Sequence, residues 1–173
     1  MEAQTHEEIL SAMKKASVDS RGSILEAVSQ LEWMIDCYIA GFFTGKDDVK
    51  FQEFISFIFT PYITFRNKIE IFRAIADKNN PDFLKKYPGY FNDFLKIVDD
   101  RNVFAHYPLH TLWNGVEKFV NDNRIEYIKF KHRKEQGAIE LIQMKGFTDN
   151  DVNKLLTDIL NYTDEIMTLI ESA

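Results

Sequence analysis

The sequence predicts a mainly α-helical fold of five or six helices, with one β-hairpin inserted near residues 124–146. Three observations carry that expectation. Apolar residues recur at alternating threes and fours over most of the chain, the period of a helix with one buried face. That period gives way to strict alternation after Ile125, where Ile128 and Phe130 stand against Lys129 and Lys131. Glycine and proline are few, 7 and 4 in 173 residues, and several of them fall where the periodic runs stop.

Thr5 followed by Glu8 forms a capping box, which opens a short helix over residues 5–16. A long second helix is expected over residues 20–43, with Ile24, Val28, Leu31, Ile35, Tyr38, Ile39 and Phe42 as its stripe. "TGKDD" at 44–48 breaks it and offers Asp47 or Asp48 as the next cap. The third helix carries Phe51, Phe54, Ile55 and Ile58 on its inner face and stops before Pro61. Residues 62–78 repeat the pattern through Phe65, Ile69, Phe72 and Ile75, and "NNPD" ends it. Residues 82–87 read as a helical turn. A further helix starts near Tyr90 and runs through Phe91, Phe94, Leu95 and Val98 into "DDRNVFAHYP" at 99–108. Residues 124–147 follow as two strands around the turn signal "KEQG". Thr148 with Asp151 is a second capping box, opening a last helix to about Ser172 along Val152, Leu155, Leu156, Ile159, Ile166, Met167 and Ile170. No repeat, linker or low-complexity tract interrupts the chain. One domain spanning residues 1–173 is expected, its core over about 20–172.

Composition narrows the function classes. The chain is 45% hydrophobic, enough for a core, and its 15 phenylalanines suit wide helix–helix contacts. A formal net charge of −6 argues against a protein that coats nucleic acid or anionic membrane non-specifically, while leaving room for a local basic site. Cys37 has no second cysteine to pair with and sits in an apolar helical pattern, so it reads as a small buried hydrophobe. No apolar run approaches the roughly 18–20 residues of a membrane span. The acidic start "MEAQTHEE" is the opposite of a signal peptide's basic opening. A reducing cytoplasm is the expected setting.

The stretch at 99–108 holds the candidate chemistry. Residues in a helix are offset by about 100° each, so Arg101 and His106 stand about 140° apart and cannot share a face of one straight helix. Asn102 and His106, four apart, can. Pro108 disfavours helical geometry at Tyr107, which puts His106 in the last turn, where the helix dipole favours a cation. If Arg101 and His106 act on one ligand, a second copy of the helix across a two-fold axis is the simplest way to bring them together. An arginine held by Asp99 or Asp100 and a half-buried histidine capping the helix end account for the same spacing without any ligand.

"RNVFAHYPL" resembles the signature of the HEPN superfamily (higher eukaryotes and prokaryotes nucleotide-binding): Arg, then often Asn or Asp, three mostly apolar positions, then His. Asn102 matches the preferred second position, and Val103, Phe104 and Ala105 supply the apolar filler. Upstream, "LEWMIDCYIAGFF" and "FISFIFTPYITFRNKIEIFRAI" look like the long helix and the following helix of stand-alone bacterial members. The resemblance covers most of residues 20–172. It implies an up-and-down helical bundle and, in many members, a metal-independent endoribonuclease of toxin–antitoxin or antiviral systems. Carried over, His106 is the acid/base group, Arg101 holds the scissile phosphate, and Asn102 orients His106 or contacts phosphate. A homodimer, an RNA substrate and an antitoxin or neighbouring-gene partner are expected on the same ground. Some HEPN toxins extend the signature to Arg-x4-His-x-Tyr. Here that last position is Pro108, so regulation through that tyrosine does not carry over. Other HEPN domains are non-catalytic interaction or nucleotide-binding modules, and the acidic balance suits that alternative.

Beyond the motif, alternation puts Tyr127, Lys129, Lys131 and Arg133 on one strand face, a strip that could follow an RNA backbone. The same lysines also serve as ordinary protection of an exposed strand. His6, His106, His110 and His132 are scattered without zinc spacing, so no metal and no cofactor is expected; His110 reads as loop surface.

Overall fold

The computed structural model describes residues 5–45, 47–59, 62–133 and 138–171, with the side chains of 130–143 outside that description. Among these residues it has seven α-helices and one antiparallel hairpin: α1 (His6–Thr44), α2 (Asp48–Glu53), α3 (Phe65–Asn79), α4 (Pro81–Lys86), α5 (Tyr90–His106), α6 (Trp113–Asp122), β1 (Arg124–Arg133), β2 (Ala138–Thr148) and α7 (Asp149–Glu171). The mainly helical class with an inserted hairpin is as expected. No helix among the described residues is long and apolar enough to cross a membrane.

The helix boundaries differ from expectation in three places. The short N-terminal helix and its long successor are one 39-residue helix, α1. "ASVDSRGS" contains weak helix formers but no proline, and Ser20 accommodates itself by donating its hydroxyl to the Ala16 carbonyl one turn back. The third helix is shorter in α form: α2 gives way at Phe54 to a π-helical turn, Phe54–Phe59. The stop at Pro61 lies outside the described residues, as does the "KEQG" turn. α6 was not expected at all. Trp113, Val116 and Val120 recur in it at helical spacing, although only Val116 of the three is buried. The capping residues hold. Thr5 and Glu8 bond reciprocally, Asp47 accepts from the Lys50 amide at 3.0 Å, and Thr148 and Asp151 close the box that opens α7.

The chain falls into two compact units, residues 1–26 with 101–156 and residues 27–100 with 157–173. In the second, Phe72 of α3, Tyr90 and Phe94 of α5 and Tyr162 of α7 form an aromatic core. Tyr90 lies 4.5 Å from Phe94 and 4.9 Å from Tyr162, centroid to centroid, with tilted and edge-on rings. Beside it Lys68, only 2% exposed, places its ammonium 2.7 Å from both Glu32 and Asp36 of α1. Burial pushes the Asp36 carboxyl up to about 6; the Lys68 hydrogen bond and charge pull it down and only partly offset this, while Glu32 adds to the rise.

In the first unit, β1 and β2 pair antiparallel from Arg124↔Thr148, with a bulge between Lys129 and Phe130. Phe104 of α5, Tyr127 of β1 and Phe147 of β2 make its aromatic core, with Phe104 4.5 Å from Phe147 and 5.3 Å from Tyr127. After α5 the chain runs along β1: the Ile128 amide donates to the Pro108 carbonyl and the His110 amide to the Glu126 carbonyl. β1 is therefore hydrogen-bonded along both edges at residues 126–128.

Two outcomes test the Lys68 cluster. Lys68→Met keeps the chain length but leaves two carboxylates without their cation, and should cost about 3–5 kcal/mol in urea unfolding. Asp36 binds its proton more tightly folded than unfolded, so its contribution to stability is full below about pH 3.8 and is lost as pH rises through about 6. Asp36→Asn should remove that part of the pH slope when unfolding is followed between pH 4 and 7.

Candidate functional site

The expected motif sits on the last turns of α5, and Pro108 ends the helix where the sequence places the stop. Arg101 and Asn102 are half-buried; His106, the last helical residue, is exposed. The Arg101 guanidinium donates to the Asn102 side-chain carbonyl at 3.2 Å and forms no ion pair among the described residues. Asp99 does not hold it, being engaged by Arg66 at 3.1 Å. α5 is a regular helix as far as His106, so the offset of about 140° between Arg101 and His106 stands. One chain brings Arg101 and Asn102 into contact and does not turn Arg101 and His106 to one face.

Cations gather at this helix end. The Lys129 ammonium of β1 lies 5.4 Å from the centre of the Tyr107 ring, next in sequence to His106. Arg21 of α1 donates to the Tyr107 carbonyl. The strip expected on β1 is not built as the alternation suggests. Tyr127 is fully buried, its ring in the core and its hydroxyl 3.1 Å from Ser17, while Lys129 is exposed. The reason is the pairing of β1 on both edges and the packing of both faces: Ile125, Glu126, Tyr127 and Ile128 are all buried. Lys129 stands near the motif; the side chains of Lys131 and Arg133 lie outside the described residues.

His110 overturns its reading as loop surface. It is 6% exposed, and its Nδ1 lies 3.3 Å from a Glu126 carboxylate oxygen, while Lys118 Nζ bonds the other oxygen at 2.7 Å and Arg124 Nε stands 3.7 Å away. Burial by itself would raise the Glu126 carboxyl. The hydrogen bonds from Lys118 and His110 and the charges of Lys118 and Arg124 outweigh it and hold the group below its ordinary value. The backbone pairing at 108–110 turns His110 inward, and no local pattern in the sequence announces that pairing. A side-chain carbon at position 115 would collide with the His110 carbonyl and ring, so only glycine lets α6 lie against this segment.

Gly115→Ala should therefore lower stability by about 1–3 kcal/mol in urea unfolding. It should also speed hydrogen exchange at the His110 amide, because the added carbon meets the backbone that holds this amide to Glu126.

Comparison with known proteins adds no relative to this geometry: no family model, no curated protein and no solved structure matches the chain.

Proposed function

We propose that the chain is a metal-independent endoribonuclease of HEPN type, acting as a homodimer through Arg101, Asn102 and His106. One observation carries the reading. The end of α5 presents an exposed imidazole and, five residues earlier, a guanidinium that forms no ion pair among the described residues. That is an acid/base group and a phosphate-binding fork, the two functions that RNA transesterification needs. The ribose 2′-oxygen attacks phosphorus as its proton leaves to a base, and the bond to the 5′-oxygen breaks as that oxygen gains a proton. The products are a 2′,3′-cyclic phosphate and a 5′-hydroxyl. In a two-fold dimer one His106 acts as base and the other as acid, while Arg101 of either copy holds the charge building on the phosphoryl oxygens. Lys129 beside Tyr107 offers a further contact for the RNA backbone. A role as a toxin or antiviral effector held by an antitoxin belongs to the same proposal.

The test is cleavage of mixed RNA by purified protein in EDTA. His106→Ala and Arg101→Ala should each slow cleavage by about 10²–10⁴-fold with folding intact. Mixing the two variants should leave cleavage slow, because the mixed dimer keeps only one of the two His106 imidazoles that serve as base and acid. Inactive wild type on varied RNA would favour the alternative of a non-catalytic interaction module, which the net charge of −6 suits.

A further inference from the structure

The geometry points to Arg21 as the residue that positions His106, making the N-terminal part of α1 a component of the site. Its guanidinium has three described contacts. It donates to the Tyr107 carbonyl, its Nε faces the Ser17 hydroxyl at 3.4 Å, and its carbon centre lies 4.7 Å from the centre of the Tyr127 ring. Ser17 and Tyr127 are themselves buried and joined at 3.1 Å, so the arginine rests on a fixed platform.

The atom it holds is the critical one. A helix's last carbonyls have no partner within the helix, and its last turn frays unless something else binds them. Tyr107 follows His106 directly, and Pro108 after it has no amide proton to offer. Arg21 supplies a hydrogen bond to this end, and a positive charge where the helix dipole is negative. Without it the turn bearing His106 would keep its hydrogen bond from the Tyr107 amide to the Val103 carbonyl but lose its tie to α1. The guanidinium is half-buried and occupied by protein groups, so it acts through the turn and not on a substrate.

This inference rests on the nuclease reading for its catalytic consequence, and the experiment separates the two. Arg21→Met preserves the packing over Tyr127 but cannot donate to the carbonyl; Arg21→Lys retains the charge and one donor. Misplacing a catalytic group by about an ångström can cost about 10²-fold. Arg21→Met should therefore lower kcat about 100-fold with KM within about twofold, and Arg21→Lys should recover about tenfold of that loss. Hydrogen exchange at the Ile128 amide, which is bonded to the Pro108 carbonyl, should quicken in Arg21→Met independently of activity. A wild-type kcat in Arg21→Met, or a loss confined to KM, overturns the proposal. Should Arg21→Met not fold, Arg21→Lys decides: reduced kcat at unchanged KM supports it and wild-type kcat overturns it. If wild type cleaves no RNA, the nuclease reading fails and the exchange result alone decides whether Arg21 holds this turn: faster exchange supports it, unchanged exchange overturns it.

Discussion

Two backbone hydrogen bonds, from Ile128 to Pro108 and from His110 to Glu126, fix where α5 ends against β1. Much of the first unit follows from them. They turn His110 inward onto Glu126, and that in turn requires a glycine at 115 for α6 to approach. They close the second edge of β1 at 126–128, and with both faces packed Tyr127 is enclosed where Ser17 and Arg21 reach it. They also leave Tyr107 beside Lys129, at the helix end that carries the exposed His106. A proline after the motif is thus more than a stop signal. Its carbonyl is the first stitch between helix and strand.

The two units bury charge in opposite senses. In one, a lysine is enclosed by two carboxylates; in the other, a carboxylate is enclosed by a lysine, an arginine and a histidine. The direction in which each acid is pushed follows from that count. Glu126 has enough positive neighbours to outweigh its burial and stays ionised readily. Asp36 shares a single ammonium with Glu32, and its second oxygen has no hydrogen-bond partner among the described residues, so burial wins. Ionisation of Glu126 therefore favours the folded state and ionisation of Asp36 disfavours it, although both are nearly inaccessible to water.

Features encoded within a few residues are legible in the sequence, and those that depend on distant pairing are not. Pro108 marks the end of α5, Thr5 with Glu8 and Thr148 with Asp151 mark helix starts, and alternation after Ile125 marks the hairpin, because each is encoded within a few residues. The fusion of the first two expected helices shows the opposite case. A stretch of weak formers such as "ASVDS" lowers helix preference without ending the helix, and packing decides. α6 is the exception among local signals: Trp113, Val116 and Val120 stand at helical spacing, but the run is only ten residues long and has no side-chain cap to mark its start. In the candidate site, Arg101, Asn102 and His106 form a pattern legible in the sequence. Arg21 is not legible there, since it meets Tyr107 across 86 positions and no spacing rule links them. Tyr127 and His110 were misplaced for one shared reason: strand alternation and loop position say nothing about a second strand edge arriving from 108–110.

The interleaving of the two units along the chain has a consequence for synthesis. The chain passes from one unit to the other near residues 26, 100 and 156, and each passage lies inside a helix: α1, α5 and α7. Neither unit can be excised at a loop. As the polypeptide leaves the ribosome, the N-terminal part of α1 lacks the rest of its unit until 101–156 emerge, and 27–100 wait for the segment from 157 onward to complete their core. Folding from the N-terminus, unit by unit, is therefore closed to this topology, and contacts distant in sequence must form before either core is whole. The long apolar face of α1 is the surface a nascent chain would expose for most of that time.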